Sequence, residues 1–211
     1  MGRLSSPQEL EKLTNEILKK RDPHQPFITV CGGTGCHASG CHQVVDAFKK
    51  ILQERVKSNG VGLRVTGCHG FCERGPLVVI HPRKIMYQRV KSEDAPAIFQ
   101  ETVLNGKVME NLLYEHPTTG EKISTEEDIP FYKKQKRIIF GNNGSIDPTE
   151  IEDYIAVGGY RALPKALFTM KPEEIIKEVK KANLRGRGGG GFPAGLKWEQ
   201  CRNAPGEIKY V

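Results

Sequence analysis

The stretches Val30-Cys-Gly-Gly-Thr-Gly-Cys36 and Val65-Thr-Gly-Cys-His-Gly-Phe-Cys-Glu-Arg-Gly75 are the most informative parts of this 211-residue chain. Each follows a strand-like run and holds a cysteine pair, with four intervening residues in the first and three in the second. Four thiolates from two neighbouring loops suit a 2Fe–2S cluster, and glycines beside them let backbone N–H groups approach its sulfides. The predicted ligands are Cys31, Cys36, Cys68 and Cys72.

Zinc is the main alternative for these cysteines, because structural zinc also takes four thiolates. Zinc ribbons and knuckles usually place two residues between paired ligands, and neither pair here has that spacing. The spacing favours a cluster, but a zinc-stabilised interaction module without a redox role stays open. Histidine ligands of the Rieske type are disfavoured, because His37 and His69 each follow a cysteine directly and would need a different backbone path.

Disulfide and dithiol chemistry fit this chain poorly. Six cysteines are too few for a disulfide scaffold, and the start of the chain does not resemble a secretory leader, so we expect a reducing, cytoplasmic setting. No Cys-x-x-Cys pair of the thioredoxin type occurs. Cys41 and Cys201 remain, and we interpret each as a packed or idle thiol rather than a ligand.

The two cysteine stretches resemble the thioredoxin-like 2Fe–2S ferredoxin domain over residues 25–107. Such domains occur in the small NADH-dehydrogenase subunit of complex I and at the N-terminus of related hydrogenase subunits. The resemblance implies an α/β fold with a mixed sheet flanked by helices.

Hydrophobic patterning predicts the elements of this domain. An N-terminal helix begins at Pro7 and ends near Lys20, within a leading segment of residues 1–24. The domain itself is predicted to contain strands at 27–30, 61–65, 77–80 and about 85–90, and helices at about 42–58 and 93–104.

The chain changes character after the ferredoxin-like domain. Residues 108–146, here named the strap segment, are predicted to be a linker or a strapping segment with irregular chain around a short basic strand at Arg137–Phe140. Residues 147–211 are predicted to be mainly helical. The first helix is capped by Asp147–Glu150 and ended by Gly158-Gly159, the second covers about 160–168, and the third begins at Pro172.

A second motif, Leu184-Arg-Gly-Arg-Gly-Gly-Gly-Gly-Phe-Pro-Ala-Gly-Leu-Lys-Trp198, follows the third helix. It contains G-x-G-x-x-G, but a Rossmann loop must follow a strand, so we reject that interpretation. A flexible surface linker is the alternative. Against it, Arg187, Phe192, Lys197 and Trp198 accompany the glycines, and such a loop can hold a phosphate through backbone N–H groups and a lysine.

The whole motif and its lead-in resemble the FMN-binding region of the NADH-oxidising flavoprotein subunit of complex I over about residues 146–201. The resemblance implies that FMN is held by Gly186, Arg187, Gly188 and Lys197, and that Phe192 lies against the nicotinamide dinucleotide. Gln200 stands where an aromatic residue is common, which weakens one dinucleotide contact.

A ferredoxin domain ahead of such a flavoprotein resembles NAD(P)-linked subunits of soluble hydrogenases and formate dehydrogenases. The resemblance implies a 2Fe–2S cluster, FMN, and NAD(H) or NADP(H) as substrate of the full-length protein. The expected partners are other subunits of a hydrogenase, formate dehydrogenase or NADH dehydrogenase complex. Because the family continues beyond the glycine loop, we expect a truncated chain with an incomplete flavin site, no catalytic residue of its own, and little activity alone.

Charge and hydropathy argue against two other functions. The net charge is +7, and the lysines are interleaved with glutamates. The sequence contains no basic block that also carries aromatic residues. We therefore expect no nucleic-acid partner. The longest purely apolar run, Leu77–Ile80, is far too short for a membrane span.

Overall fold

The computed structural model describes residues 3–54 and 60–208 of the chain. One compact unit contains Lys12–Val157, and a second combines the first residues with those from Gly158 onward. The strands are β1 (Phe27–Cys31), β2 (Gly62–Thr66), β3 (Val78–His81), β4 (Ile85–Tyr87), β5 (Tyr114–Glu115) and β6 (Lys122–Ile123). The α-helices are α1 (Pro7–Lys19), α2 (Thr34–Ala38), α3 (Cys41–Glu54), α4 (Ala95–Ala97), α5 (Pro130–Lys133), α6 (Ile151–Ala156), α7 (Ala162–Thr169), α8 (Pro172–Lys181) and α9 (Ala194–Asn203).

A mixed four-stranded sheet in the order β2-β1-β3-β4 forms the centre of the larger unit. Strand β1 pairs in parallel with β2 and antiparallel with β3, and β3 pairs antiparallel with β4. Parallel pairing brings the carboxyl ends of β1 and β2 to the same edge of the sheet. The two cysteine loops therefore leave the sheet side by side.

Apolar residues of the sheet and of α3 form the core of this unit. Val78, Val79 and Ile80 are buried, as expected for an unbroken apolar strand covered on both faces. Helix α3 buries Val44, Val45 and Phe48 at helical spacing. The predicted mixed α/β fold is confirmed.

Several predicted boundaries change. The helix expected at 42–58 is α3, which reaches Glu54, and the rest of that prediction lies outside the described residues. The closing helix begins as a 3₁₀ turn at Ser92–Asp94, becomes α4, and continues as a π-helix over Ile98–Leu104.

The predicted strand at Arg137–Phe140 is wrong. Ile138, Ile139 and Phe140 are 77%, 70% and 63% exposed, and no strand among the described residues pairs with them. A short apolar run has strand propensity, but a strand requires a neighbour that accepts its hydrogen bonds.

A buried carboxylate joins α6 to the sheet within the larger unit. The Asp153 side chain is 7% exposed and lies 2.5 Å from Arg21 and 3.5 Å from Arg64, which is on β2. It also accepts a hydrogen bond of 2.8 Å from the backbone N–H of Asp147. A charge that is mostly removed from water requires such partners.

The smaller unit contains α7, α8 and α9. Helices α8 and α9 approach closely at Gly195, where a Cβ atom would lie 2.7 Å from the backbone nitrogen of Lys180. Ion pairs join the same two helices, Lys180 with Glu199 at 2.5 Å and Arg202 with Glu173. Within residues 3–54 and 60–208, no helix has the length and apolar character needed to cross a bilayer.

We expect Asp153→Asn to lower the free energy of unfolding by about 3 kcal/mol, because it leaves Arg21 and Arg64 without their anionic partner. This is the lower end of the range for breaking a buried pair, since both guanidinium groups keep contact with water. Urea unfolding followed by circular dichroism measures the change. The exposed neighbour gives the control, Glu152→Gln, which should stay within about 0.5 kcal/mol. Equal effects of the two substitutions would contradict this role of Asp153.

Candidate functional site

The first cysteine pair lies at the end of β1 and in the short helix that follows. Cys31 is the last residue of β1, and its N–H donates to the Leu77 carbonyl oxygen at 3.0 Å. Cys36 lies in α2, and both cysteines are 1% exposed. Gly32 and Gly33 separate the strand from this helix, so the chain turns at once after β1.

The second pair lies in the loop that follows β2. Cys68 is partly exposed and Cys72, which begins a 3₁₀ turn, is exposed. Their sulfur atoms are 3.7 Å apart, and the N–H of Gly70 donates to the Cys68 sulfur at 3.2 Å. Gly70 has φ of +87°, a conformation that favours glycine.

Close contacts through glycines hold the two loops together. A Cβ atom on Gly33 would lie 2.8 Å from the Cβ of Cys68, and one on Gly35 would lie 2.8 Å from the Cβ of Cys72. A Cβ on Gly75 would lie 2.6 Å from the Cys36 sulfur. The structure thus brings all four predicted cysteines into one pair of interlocked loops.

Hydrogen bonds distinguish the thiols within the inner pair. Cys36 donates to Cys31, which lowers the pKa of Cys31, and backbone N–H groups of His69 and Gly33 lower it further against the effect of burial. The same contact raises the pKa of Cys36. Burial is the main cause that raises the pKa of Cys68. One sulfur is therefore prepared to carry negative charge.

The sulfur atoms form two pairs of different accessibility. Cys31 and Cys36 make an inner pair, and Cys68 and Cys72 make an outer pair that reaches the surface. Among residues 3–54 and 60–208, no three histidine, cysteine, aspartate or glutamate side chains are gathered around one point closely enough for a single metal ion.

His69 lies between the outer cysteines in sequence and is fixed by three partners. Its ring is 1% exposed, with Nε2 3.0 Å from the Thr66 hydroxyl and Nδ1 3.1 Å from a Glu126 carboxylate oxygen. The Arg137 guanidinium donates to the His69 carbonyl oxygen. Although burial opposes it, the contact with His69 and the nearby positive charges lower the pKa of Glu126.

The strap segment covers this loop from the other side. The Phe131 ring stacks on Phe71 with 4.5 Å between centroids, and Tyr132 meets Phe71 edge-on at 5.7 Å. Gly144 lies against the His69 ring, where a Cβ atom would come within 2.9 Å of Cε1. Arg137, which sequence reasoning assigned to a strand, instead bonds to the loop through its side chain.

The two remaining cysteines lie outside this arrangement. Cys41 begins α3 and is buried, and burial raises its pKa. Cys201 lies in α9 of the smaller unit. All six cysteines are among the described residues, and none of them forms a disulfide.

The glycine-rich loop is closed at its base and open at its tip. The N–H of Gly186 donates to the Phe192 carbonyl oxygen at 2.9 Å, and the N–H of Ala194 donates to the Leu184 carbonyl oxygen at 2.8 Å. A Cβ atom on Gly188 or Gly190 would meet no described atom within 4 Å. Packing therefore does not require glycine at those two positions. Lys197 and Phe192 are exposed.

Sequence reasoning missed Glu126, Phe131, Tyr132 and the β5–β6 ribbon. Glu126 contacts His69 across 57 residues of chain, and Arg137 contacts it across 68. The acidic turn before the Ile129-Pro130-Phe131-Tyr132 stretch was the only local signal, and it resembles an ordinary helix start.

We expect Glu126→Ala to loosen the outer cysteine loop, because it leaves the buried Nδ1 of His69 without its partner. Local opening should become easier by about 1–3 kcal/mol, so amides of residues 67–72 should exchange hydrogen about 5- to 150-fold faster. Hydrogen-exchange mass spectrometry measures this. The exposed Glu127, which pairs with Lys84 at the surface, provides the control Glu127→Ala, expected to change the rate less than about threefold. Equal protection of these amides from exchange in wild type and Glu126→Ala would contradict the role of Glu126 in holding the outer cysteine loop.

Comparison with known proteins places the chain in a family. The thioredoxin-like [2Fe-2S] ferredoxin profile matches residues 16–103. The chain is 51% identical over 79 residues to the NADP-reducing hydrogenase subunit HndC of Solidesulfovibrio fructosivorans, covering 37% of this chain and 16% of that protein. It is 49% identical over 51 residues to the alpha subunit of the NAD-reducing hydrogenase HoxS of Cupriavidus necator, covering 24% of this chain and 8% of that protein. An NADH-quinone oxidoreductase chain of Rhizobium meliloti is 54% identical over 61 residues, which are 29% of this chain and 14% of that protein. The chain thus spans about a sixth or less of these relatives' length.

A smaller relative is matched over most of its own length. The chain is 32% identical over 77 residues to a 2Fe-2S ferredoxin of Clostridium pasteurianum, covering 36% of this chain and 76% of that protein. A crystal structure of the thioredoxin-like [2Fe-2S] ferredoxin from Aquifex aeolicus matches with a TM-score of 0.38 and 27% identity, over 42% of this chain and 95% of that one. From the profile match and the Clostridium relative, the chain belongs to the thioredoxin-like [2Fe-2S] ferredoxin family.

Proposed function

We propose that Cys31, Cys36, Cys68 and Cys72 hold a 2Fe–2S cluster and that the chain transfers single electrons within an NAD(P)H-dependent oxidoreductase of several subunits. The observation that carries this proposal is the meeting of two cysteine pairs at the shared edge of β1 and β2. Glycine contacts leave no room for side chains between the loops.

The residues present fit such a cluster. Metal–sulfur bonds of about 2.3 Å in tetrahedral geometry, as for zinc, separate two sulfurs by about 3.8 Å. The Cys68 and Cys72 sulfurs are 3.7 Å apart. Backbone N–H groups already point at Cys31 and Cys68. When bound, the cluster supplies one-electron redox chemistry.

The inner and outer pairs differ in a way that suits electron transfer. The buried Cys31 and Cys36 anchor the site in the core, whereas Cys72 is exposed and gives the site a surface edge. In this proposal a redox partner approaches the outer pair. Exposure and hydrogen bonding are among the factors that set a cluster's potential.

The zinc-stabilised module is the competing function. It requires four sulfurs around one zinc ion, whereas a 2Fe–2S cluster requires two cysteine sulfurs at each iron. Membership of a [2Fe-2S] family supports the cluster. Metal analysis separates the two functions directly.

We further propose that the glycine-rich loop contributes to an FMN site in the complete protein. Gly186, Arg187, Gly188 and Lys197 would contact FMN, and Phe192 would face NAD(H) or NADP(H). The open space beside Gly188 and Gly190 supports this, because a flavin phosphate can approach a backbone without side chains. Chains of an NADP-reducing hydrogenase and of NADH-quinone oxidoreductase among the relatives support the same nicotinamide substrates.

The relatives also guide the proposal for partners. They are named as subunits of hydrogenases and of NADH-quinone oxidoreductase, so we propose the remaining subunits of such a complex as partners. A formate dehydrogenase complex rests on the sequence resemblance alone. A cytoplasmic location stays a prediction.

Anaerobically prepared protein should contain about two irons and two acid-labile sulfides per chain and be brown. Serine substitution of Cys31, Cys36, Cys68 or Cys72 should remove or strongly reduce this content, because each sulfur is a ligand. Cys201→Ser is the control and should keep it. Stoichiometric zinc without sulfide would establish the competing function instead.

The 211-residue chain should not form a tight stoichiometric complex with FMN. Ligand sites typically bury about 70–90% of a small ligand, and residues 187–190 here are exposed. Fluorescence titration of FMN with the chain measures this, with Lys197→Ala as the comparison. Tight one-to-one quenching that Lys197→Ala weakens would contradict the expectation.

A further inference from the structure

We propose that the Tyr132 hydroxyl of the strap segment donates a hydrogen bond to a sulfur of the cluster and thereby raises its reduction potential. This inference rests on the proposed function, because it requires the cluster to be present. It adds a positioning and tuning residue that lies 60 residues beyond the last cysteine of the site, outside both cysteine loops.

The tyrosine is held against the outer loop by its neighbours. Its ring meets Phe71, which stands between Cys68 and Cys72 in sequence, edge-on at 5.7 Å. It meets Phe131 edge-on at 5.0 Å, and Phe131 stacks on the same Phe71. These rings leave Tyr132 little freedom to turn away.

Its hydroxyl is buried and its proton lacks an acceptor. Tyr132 is 8% exposed, and its hydroxyl meets no hydrogen-bond acceptor within residues 3–54 and 60–208, although the Arg137 guanidinium lies close enough to lower its pKa. Buried polar groups are rarely left unpaired, so a missing partner points to an absent group. The Arg137 guanidinium lies over the ring at 4.4 Å, but a guanidinium only donates and cannot accept the phenolic proton.

The acceptor is best supplied by the cysteine site. Tyr132 belongs to the same buried cluster of side chains as Cys31, Cys36 and Phe71. Its ring packs on Phe71 of the outer cysteine loop, so the hydroxyl lies in the core beside that loop. Burial is the main cause that raises the pKa of Tyr132, the charge of Glu126 raises it further, and the Arg137 guanidinium opposes both. A negatively charged sulfur centre is an acceptor that strengthens the bond from a neutral hydroxyl.

The direction of the effect follows from charge. One-electron reduction adds negative charge to the cluster, so a hydrogen bond to sulfur stabilises the reduced form more than the oxidised form. The bond therefore raises the potential, and its loss lowers it. Other protein features, such as backbone N–H donors, are unaffected by a change confined to the phenolic oxygen.

The test is a redox titration followed by EPR on the full chain in three forms: wild type, Tyr132→Phe and Tyr114→Phe. Tyr132→Phe should keep wild-type iron and sulfide content and show a lower midpoint potential. Tyr114→Phe is the matched control. Tyr114 packs on the same Phe71, but among the described residues its hydroxyl is not a buried group that lacks a partner, as that of Tyr132 is. Its potential should equal that of wild type.

The outcomes separate the inference from the proposed function. A filled site with an unchanged potential in Tyr132→Phe overturns the inference and leaves the proposed function standing; the hydroxyl then bonds to buried water. Wild-type protein without iron and sulfide overturns the proposed function. Replacement of Tyr132 by 3,5-difluorotyrosine, measured at a pH low enough to keep its more acidic hydroxyl protonated, decides the matter even when Tyr132→Phe does not fold, because it keeps the hydroxyl and makes it a stronger donor. The potential should then rise, and an unchanged or lower value overturns the inference.

Discussion

The close approach of two backbone loops at one edge of the sheet determines where every sulfur of the site can lie. Strands β1 and β2 are parallel neighbours, so their ends deliver Cys31 and Cys68 side by side. At Gly33 and Gly35, the space that a side chain would fill is occupied by Cys68 and Cys72 respectively. A methyl group at either glycine would overlap Cys68 or Cys72. Any change in how the two loops pack would therefore move these sulfur atoms.

The strap segment packs against the second cysteine loop and holds it in place. Glu126 and Arg137 fix His69 by its side chain and its backbone, and the aromatic residues cover Phe71. Without these contacts the loop that carries Cys68 and Cys72 could open more easily, and the positions of the two proposed ligands would be less well fixed. The strap segment is thus better described as part of the site than as a connection between domains.

The cysteine positions and the main strands could be predicted because their signals are local. Spacing identified the sulfur pairs, and alternation or unbroken apolar runs identified β2 and β3. The contacts of His69 with Glu126 and Arg137 span 57 and 68 residues, and no local pattern encodes them. The same limit explains the false strand at Arg137–Phe140, since propensity cannot show whether a pairing partner exists. For the glycine-rich motif, the sequence predicted a loop that can hold a phosphate, and the structure adds the hydrogen bonds that close the base of this loop.

Iron K-edge X-ray absorption on anaerobically prepared protein would show whether the four cysteines bind two bridged irons, because it reports the neighbouring atoms of each metal. We expect iron surrounded by four sulfurs with a second iron close by, because in the proposed site the inner and outer cysteine pairs each bind one iron of a bridged unit. A single metal ion with four sulfur neighbours and no second metal would contradict this.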